Sequence, residues 1–227
     1  MAKRRKLNRF RVTIPEPQQL ERYLIYYSPK LVYHQPETLR PISSLEIFGN
    51  RQPLILDLGC GRGEFSIAQA QQCPEKNYVG IDSHLKSLHD AVNQASKQQL
   101  ANVKFIHSDL RWVLIKVPET SVAEIFCLFP PPVKKKKYIK KDVITPQFIA
   151  HIYRILEVGG KFHFVTDIKD FFQAKLALIE SLDLLSRPAV SESFEGGLTR
   201  YQQLWEGHQA PSLRARFIKR SPVVKTG

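Results

Sequence analysis

The chain has 227 residues, of which 43% are apolar and 24% charged, enough for one domain with a sizeable core. No apolar run approaches the roughly 18–20 residues of a membrane helix, and the basic leader MAKRRKLNRFR is not followed by the apolar stretch of a secretory signal, so a cytoplasmic protein away from membranes is expected. Three scattered cysteines (Cys60, Cys73, Cys127) and seven histidines show neither a disulfide framework nor ligand spacing, so no metal is expected.

The net charge of +13 is clustered. Lys3, Arg4, Arg5, Lys6, Arg9 and Arg11 fill the leader. Lys134, Lys135, Lys136, Lys137, Lys140 and Lys141 form a mid-chain run, and Arg214, Arg216, Lys219, Arg220 and Lys225 gather near the C-terminus. Such clusters attract a polyanion, and nucleic acid is the first candidate.

Residues 1–12 read as a flexible basic arm and 13–227 as a single domain. The proline- and aromatic-rich stretch 13–50 is expected to wrap onto that domain. From 53 onward strand and helix alternate. The spacing predicts a buried strand over 53–58, a helix over 64–72, a strand over 77–82 and a helix over 84–99. Strands follow at 103–109 and 123–129. An amphipathic helix spans 145–156, with Phe148, Ile149, Ile152, Ile155 and Leu156 on one face. Gly159 and Gly160 are expected to cap it. A fifth strand over 161–167 and a helix over 168–181 follow. The tail from Leu198 is expected to supply the last strands, with RARFIK at the sheet edge. Such alternation implies an α/β fold with a mostly parallel twisted sheet and helices on both faces.

The segment Asp57-Leu58-Gly59-Cys60-Gly61-Arg62-Gly63 falls where the first strand turns into the first helix. Glycines there allow a tight turn and close approach to a ligand. The spacing is G-x-G-x-G rather than the G-x-G-x-x-G of a dinucleotide site. Asp57 would repel a pyrophosphate but pair with an ammonium, which points to S-adenosyl-L-methionine. Asp82 and Asp109 end the next two strands, placed to accept from ribose hydroxyls and the adenine amino group. Each acid alone has a plainer reading as a turn or helix cap. By position, Leu128 and His84 border the adenosine.

The fourth strand runs into Phe129-Pro130-Pro131-Pro132-Val133 and the lysine run. Prolines stiffen such a loop and the lysines suit phosphates. In order along the chain come FPPPVKKKKYIKKDVITPQF, Val158-Gly159-Gly160, Val165-Thr166-Asp167, Thr199-Arg200-Tyr201-Gln202, Gly207-His208 and RARFIKR. This series resembles the bacterial tRNA (guanine-N7)-methyltransferases, over roughly 53–220. The family pattern is F-P-D-P-W-x-K-x-R-H-x-K-R-R, then G-G, a strand ending T-D, T-K-[FY]-E and a glycine-histidine pair. The resemblance implies a Rossmann-like class I methyltransferase with a C-terminal antiparallel strand, acting on the variable-loop guanine of tRNA. It implies cofactor contacts at Asp57, Asp82 and Asp109, to which the motif and position add Gly59, Gly61, Gly63 and Leu128, and it implies tRNA or target-base contacts at Lys135, Thr199, Gln202 and Asp167. Three positions depart: the family aspartate is Pro131, its tryptophan is Val133 and its glutamate is Gln202.

With Pro131 in place of the aspartate, Asp167 becomes the candidate for the catalytic acid, against a plain N-cap role. Tyr201 and Phe129 are candidates to stack on an extruded base. A related enzyme on another RNA base or another substrate, or an inactive RNA-binding homologue, stays open, as does a monomer or homodimer.

Overall fold

The computed structural model describes residues 11–132, 142–186, 189–191 and 212–221. In chain order the helices and strands are α1 (Pro17–Tyr23), β1 (Leu24–Tyr26), α2 (Pro29–His34), α3 (Ser44–Phe48), β2 (Leu54–Leu58), α4 (Glu64–Gln72), β3 (Asn77–Asp82), α5 (Leu85–Lys97), β4 (Val103–His107), α6 (Leu110–Val113), β5 (Val122–Leu128), α7 (Pro146–Ile155), β6 (Leu156–Thr166), α8 (Lys169–Ser181), β7 (Ala189–Ser191) and β8 (Leu213–Ile218). The basic arm at 1–10, the lysines at 134–141 and Lys225 lie outside the described residues.

One sheet of eight strands runs in the order β1-β4-β3-β2-β5-β6-β8-β7. The pairs from β1 to β6 are parallel, whereas β8 runs antiparallel to both β6 and β7. Side chains alternate across a strand, so each strand feeds two cores. Leu54, Leu56 and Leu58 of β2 join one cluster with Ile47 of α3, Ile149 and Ile152 of α7, and Phe172 of α8. Ile55 faces the opposite cluster, with Phe65 of α4, Leu88 and Val92 of α5, and Phe105 of β4. Helices on both faces explain why every residue of β2 is buried. Among the described residues no helix is long and apolar enough to cross a membrane.

The stretch 13–50 adds a strand that its sequence did not announce. β1 pairs parallel with β4 at the sheet edge, and Val32, Leu39, Ile42 and Ile47 enter the main core.

Two expectations are corrected. Gly159 and Gly160 do not cap α7. That helix starts on Thr145, whose Oγ1 accepts from Phe148 N–H at 3.2 Å, and ends at Ile155, with Leu156 already extended. The glycines sit inside β6, where pairing with β5 jumps from Val122↔Leu156 to Glu124↔Lys161. A bulge of this kind takes glycine: Gly159 has φ +80°, and a Cβ on Gly160 would lie 2.8 Å from the Glu157 carbonyl oxygen. Lys219 closes the corner, its Nζ donating to the Leu156 carbonyl at 2.7 Å. Likewise β8 is not the sheet edge. It lies between β6 and β7, with Ala215 and Phe217 fully buried while Arg214 and Arg216 share the opposite face. β7 forms the edge and precedes Leu198.

Candidate active site

The carboxyl ends of β2, β3, β4 and β5 enclose a cleft of about 370 Å³. An open parallel sheet places its ligand crevice there, where strand order reverses on either side of β2 and β5. That volume is within the usual range for a small-molecule site.

The loop after β2 folds back on β3, with Gly59 N–H donating to the Ile81 carbonyl at 2.8 Å. Gly61 has φ +57°, and its N–H donates to Asp82 Oδ2 at 2.9 Å. Asp82 Oδ1 accepts from His84 N–H at 2.7 Å, so one carboxylate ties the glycine loop to the start of α5. Gly63 opens α4 with φ +72°, and a Cβ there would lie 2.7 Å from the Phe105 ring. An ion pair between Arg62 and Asp90 of α5 fastens the same loop from outside.

The expected cofactor residues divide. Gly59, Asp82, Asp109 and Leu128 line the cleft; Asp57, Gly61 and Gly63 are not among the residues that line it. Asp57 is only 3% exposed, and its Oδ2 accepts from Ser66 Oγ of α4 at 2.7 Å. Burial pushes the Asp57 carboxyl up to about 7; the Ser66 hydrogen bond opposes this, and the nearby charges of Asp82 and Glu64 add to it. The Asp109 carbonyl accepts from Trp112 and Val113 N–H, starting α6. His84 does not line the cleft; its Nδ1 meets Ser87 Oγ at 2.8 Å within its own helix.

Sequence reasoning passed over Ser83 and Ser108, which line the cleft beside Asp82 and Asp109, and Val143, which lines it after the lysine run. The two serines were visible as Asp-Ser and Ser-Asp pairs at strand ends. Val143 carried no signal, because its place at the cleft is set by tertiary packing and not by any local pattern.

Phe129, Pro130 and Pro131 form the wall at the end of β5. Asp167 follows β6, the neighbouring strand, but is not among the cleft-lining residues. Nor is it the N-cap of α8, which is Ile168 without a side-chain cap. Lys135, Thr199, Tyr201 and Gln202 lie outside the described residues.

Among solved structures the chain resembles the 16S rRNA methyltransferase KamB, at TM-score 0.59 and 13% identity over 76% of this chain and 90% of that one. It also resembles the 16S rRNA (adenine(1408)-N(1))-methyltransferase of Catenulisporales acidiphilia, at TM-score 0.56 and 14% identity over 77% and 89%. At such identities the likeness speaks for the fold. A family described as "Putative methyltransferase" matches residues 51–214. The tRNA (guanine-N(7)-)-methyltransferase of Rubrobacter xylanophilus is 38% identical over 98% of this chain and 99% of its own. That of Chloroherpeton thalassium is 30% identical over 94% and 96%. The ordered motifs, the crevice at the strand ends and these full-length relatives agree: the chain belongs to the tRNA (guanine-N(7)-)-methyltransferase family.

Proposed function

We propose that the protein transfers a methyl group from S-adenosyl-L-methionine to N7 of the variable-loop guanine in tRNA. The observation that carries this reading is the two-sided cleft: acids and serines from β3 and β4 on one side, an apolar proline wall from β5 on the other. The residues fit the methyl donor. Asp82 and Asp109 offer acceptors for hydroxyl and amino groups, and the open backbone at Gly59 leaves room for a chain laid against it. When bound, S-adenosyl-L-methionine supplies an electrophilic methyl on a sulfonium.

Asp82 would hold ribose hydroxyls while keeping the glycine loop in place. Ser108 and Asp109 would face the adenine. Asp57 would act from beneath the loop, its negative charge favouring a cationic amino-acid moiety. N7 of guanine bears a free lone pair at neutral pH, so no base is required to expose the nucleophile. The work left to the protein is alignment, exclusion of water and stabilisation of the positive charge that develops on the purine. Asp167, one strand beyond the wall, is the acid proposed for that last task. Resemblance assigns tRNA contacts to Lys135, Thr199 and Gln202, and Tyr201 would stack on the base. The net charge of +13 supports a polyanionic substrate. A tRNA substrate would place the protein in the cytoplasm.

The test is methyl transfer from labelled S-adenosyl-L-methionine to unmodified tRNA, with N7-methylguanosine read by mass spectrometry. A strong signal is expected. Cofactor binding without that signal would move the activity to another base or substrate, and loss of both would leave an RNA-binding homologue.

A further inference from the structure

The wall at the end of β5 has a one-sided hydrogen-bonding inventory. Residues 129–132 read Phe-Pro-Pro-Pro. Proline carries no N–H, so three of these four peptide units can only accept. The remaining N–H, that of Phe129, donates to the Val165 carbonyl at 2.7 Å. Phe129, Pro130, Pro131 and Val143, the cleft-lining residues here, have no polar side-chain atom. Residues 129–132 therefore offer apolar surface and carbonyl oxygens, and no free backbone donor of their own.

The wall is also stiff. Each proline ring fixes its own φ. Phe129 has φ +51°, a left-handed conformation unusual for an aromatic residue and disfavoured before proline. Such strain persists where the surroundings over-determine it, and it gathers at sites that hold a ligand. Here the bond to β6 and the proline that follows supply the constraint.

We propose that this donor-free wall reads the Watson–Crick edge of the target base, with its carbonyl oxygens accepting from guanine N1–H and N2–H₂ in place of the carboxylate the family carries at position 131. The inference rests on the guanine-N7 reading above and explains how Pro131 is compatible with it. Guanine alone among the four bases sets two donors side by side on that edge. Adenine and cytosine would turn a ring-nitrogen lone pair toward the carbonyls, and uracil would flank one donor with two acceptors. A purine that gains positive charge on methylation strengthens its N–H donors, so the same carbonyl dipoles favour the transition state over the ground state. Unlike a carboxylate, they do this without a titrating group.

The experiment uses the full chain and tRNA transcripts carrying guanine, inosine or 2-aminopurine at the methylated position. All three keep N7. Inosine loses only the amino donor, and its kcat/KM should fall about fivefold to tenfold. In 2-aminopurine N1 becomes an acceptor, and the loss should reach about 100-fold, as when a polar site is left facing the wrong partner. Pro131→Ala adds one N–H to the wall. It should narrow the guanine to 2-aminopurine ratio by about tenfold, a rescue that general damage to protein or RNA would not produce. Transfer to 2-aminopurine within about threefold of guanine, a factor below that of one net hydrogen bond, would overturn the wall's role. So would a ratio unmoved by Pro131→Ala. Absence of transfer to the guanine transcript would remove the guanine-N7 reading and this inference together, an outcome distinct from equal transfer to guanine and 2-aminopurine.

Discussion

The two sides of the cleft are built by opposite means. On the side of β2, β3 and β4, acids are held by donors: Asp82 takes Gly61 N–H and His84 N–H, and buried Asp57 takes the Ser66 hydroxyl. On the side of β5 no charged side chain lines the cleft among the described residues, and shape comes from prolines and a strained Phe129. On the proposed reading the first side would take a polar cation through charge, with buried Asp57 held at a cost in stability. The second would meet a flat base, for which rigidity and backbone acceptors would suffice.

The comparison breaks most severely at Gly63. A methyl group there would meet Phe105 and Ala91, and φ +72° disfavours any side chain. Gly63→Ala should cost about 3 kcal/mol, lowering Tm by roughly 6–12 °C in calorimetry, through left-handed strain and overpacking together. An unchanged Tm would mean the loop has room that the packing denies.

Asp82→Ala removes a lining carboxylate and frees the two backbone donors of Gly61 and His84. Titration calorimetry should show S-adenosyl-L-methionine binding weakened about 100-fold, since charge-assisted hydrogen bonds are lost on both the loop and the ligand. A loss below about threefold, less than one hydrogen bond, would take Asp82 out of the cofactor site.

Asp57→Asn separates stability from function. The folded carboxyl has its pKa raised from 3.8 to about 7, so its stabilising contribution is complete below the unfolded value and disappears as pH rises through about 7. At pH 8 the protein holds a buried charge against its own fold. Asp57→Asn should therefore raise the Tm of the free protein by roughly 5 °C, about 2 kcal/mol, and weaken cofactor binding at the same pH. A lower Tm at pH 8 would contradict the burial argument.

The smallest effect concerns the support of the proline wall. Glu124 of β5 accepts from His163 Nε2 of β6 at 3.0 Å, and Arg214 of β8 meets His163 Nδ1 at 2.9 Å. A neutral imidazole thus bridges a carboxylate and a guanidinium across three strands, with burial lowering the His163 pKa. The His163 hydrogen bond holds Glu124 down at about 2. That stability is present above the unfolded carboxylate value and is lost as pH falls through about 2. Glu124→Gln should cost about 1 kcal/mol at pH 7 after allowance for solvent screening, and the difference from wild type should close between about pH 4.5 and 2 in urea titrations.

The acid side was the legible one. Asp57, the three glycines, Asp82 and Asp109 announce themselves because strand period, glycine spacing and strand-end acids are local patterns that chemistry leaves in the sequence. The fold brings Gly59, Asp82 and Asp109 to one cleft and leaves Asp57, Gly61 and Gly63 out of its lining. Only the packing of α4 against β2 buries Asp57 and hands its carboxylate to Ser66. Asp167 shows the reverse case, since a strand-end acid by sequence lies off the cleft in space.

The sequence by itself determined the alternation of strands and helices, the glycine turn and its acids, and the family, because each is written in local patterns or in their order along the chain. Only the tertiary structure decided that Gly159 and Gly160 form a bulge inside β6, that β8 is an inner strand, that β1 completes the opposite edge, and that Val143 returns to the cleft. The physical reason is the same in each case. These features are set by which strand pairs with which and in what register, and pairing joins residues far apart in the chain whose local patterns are alike.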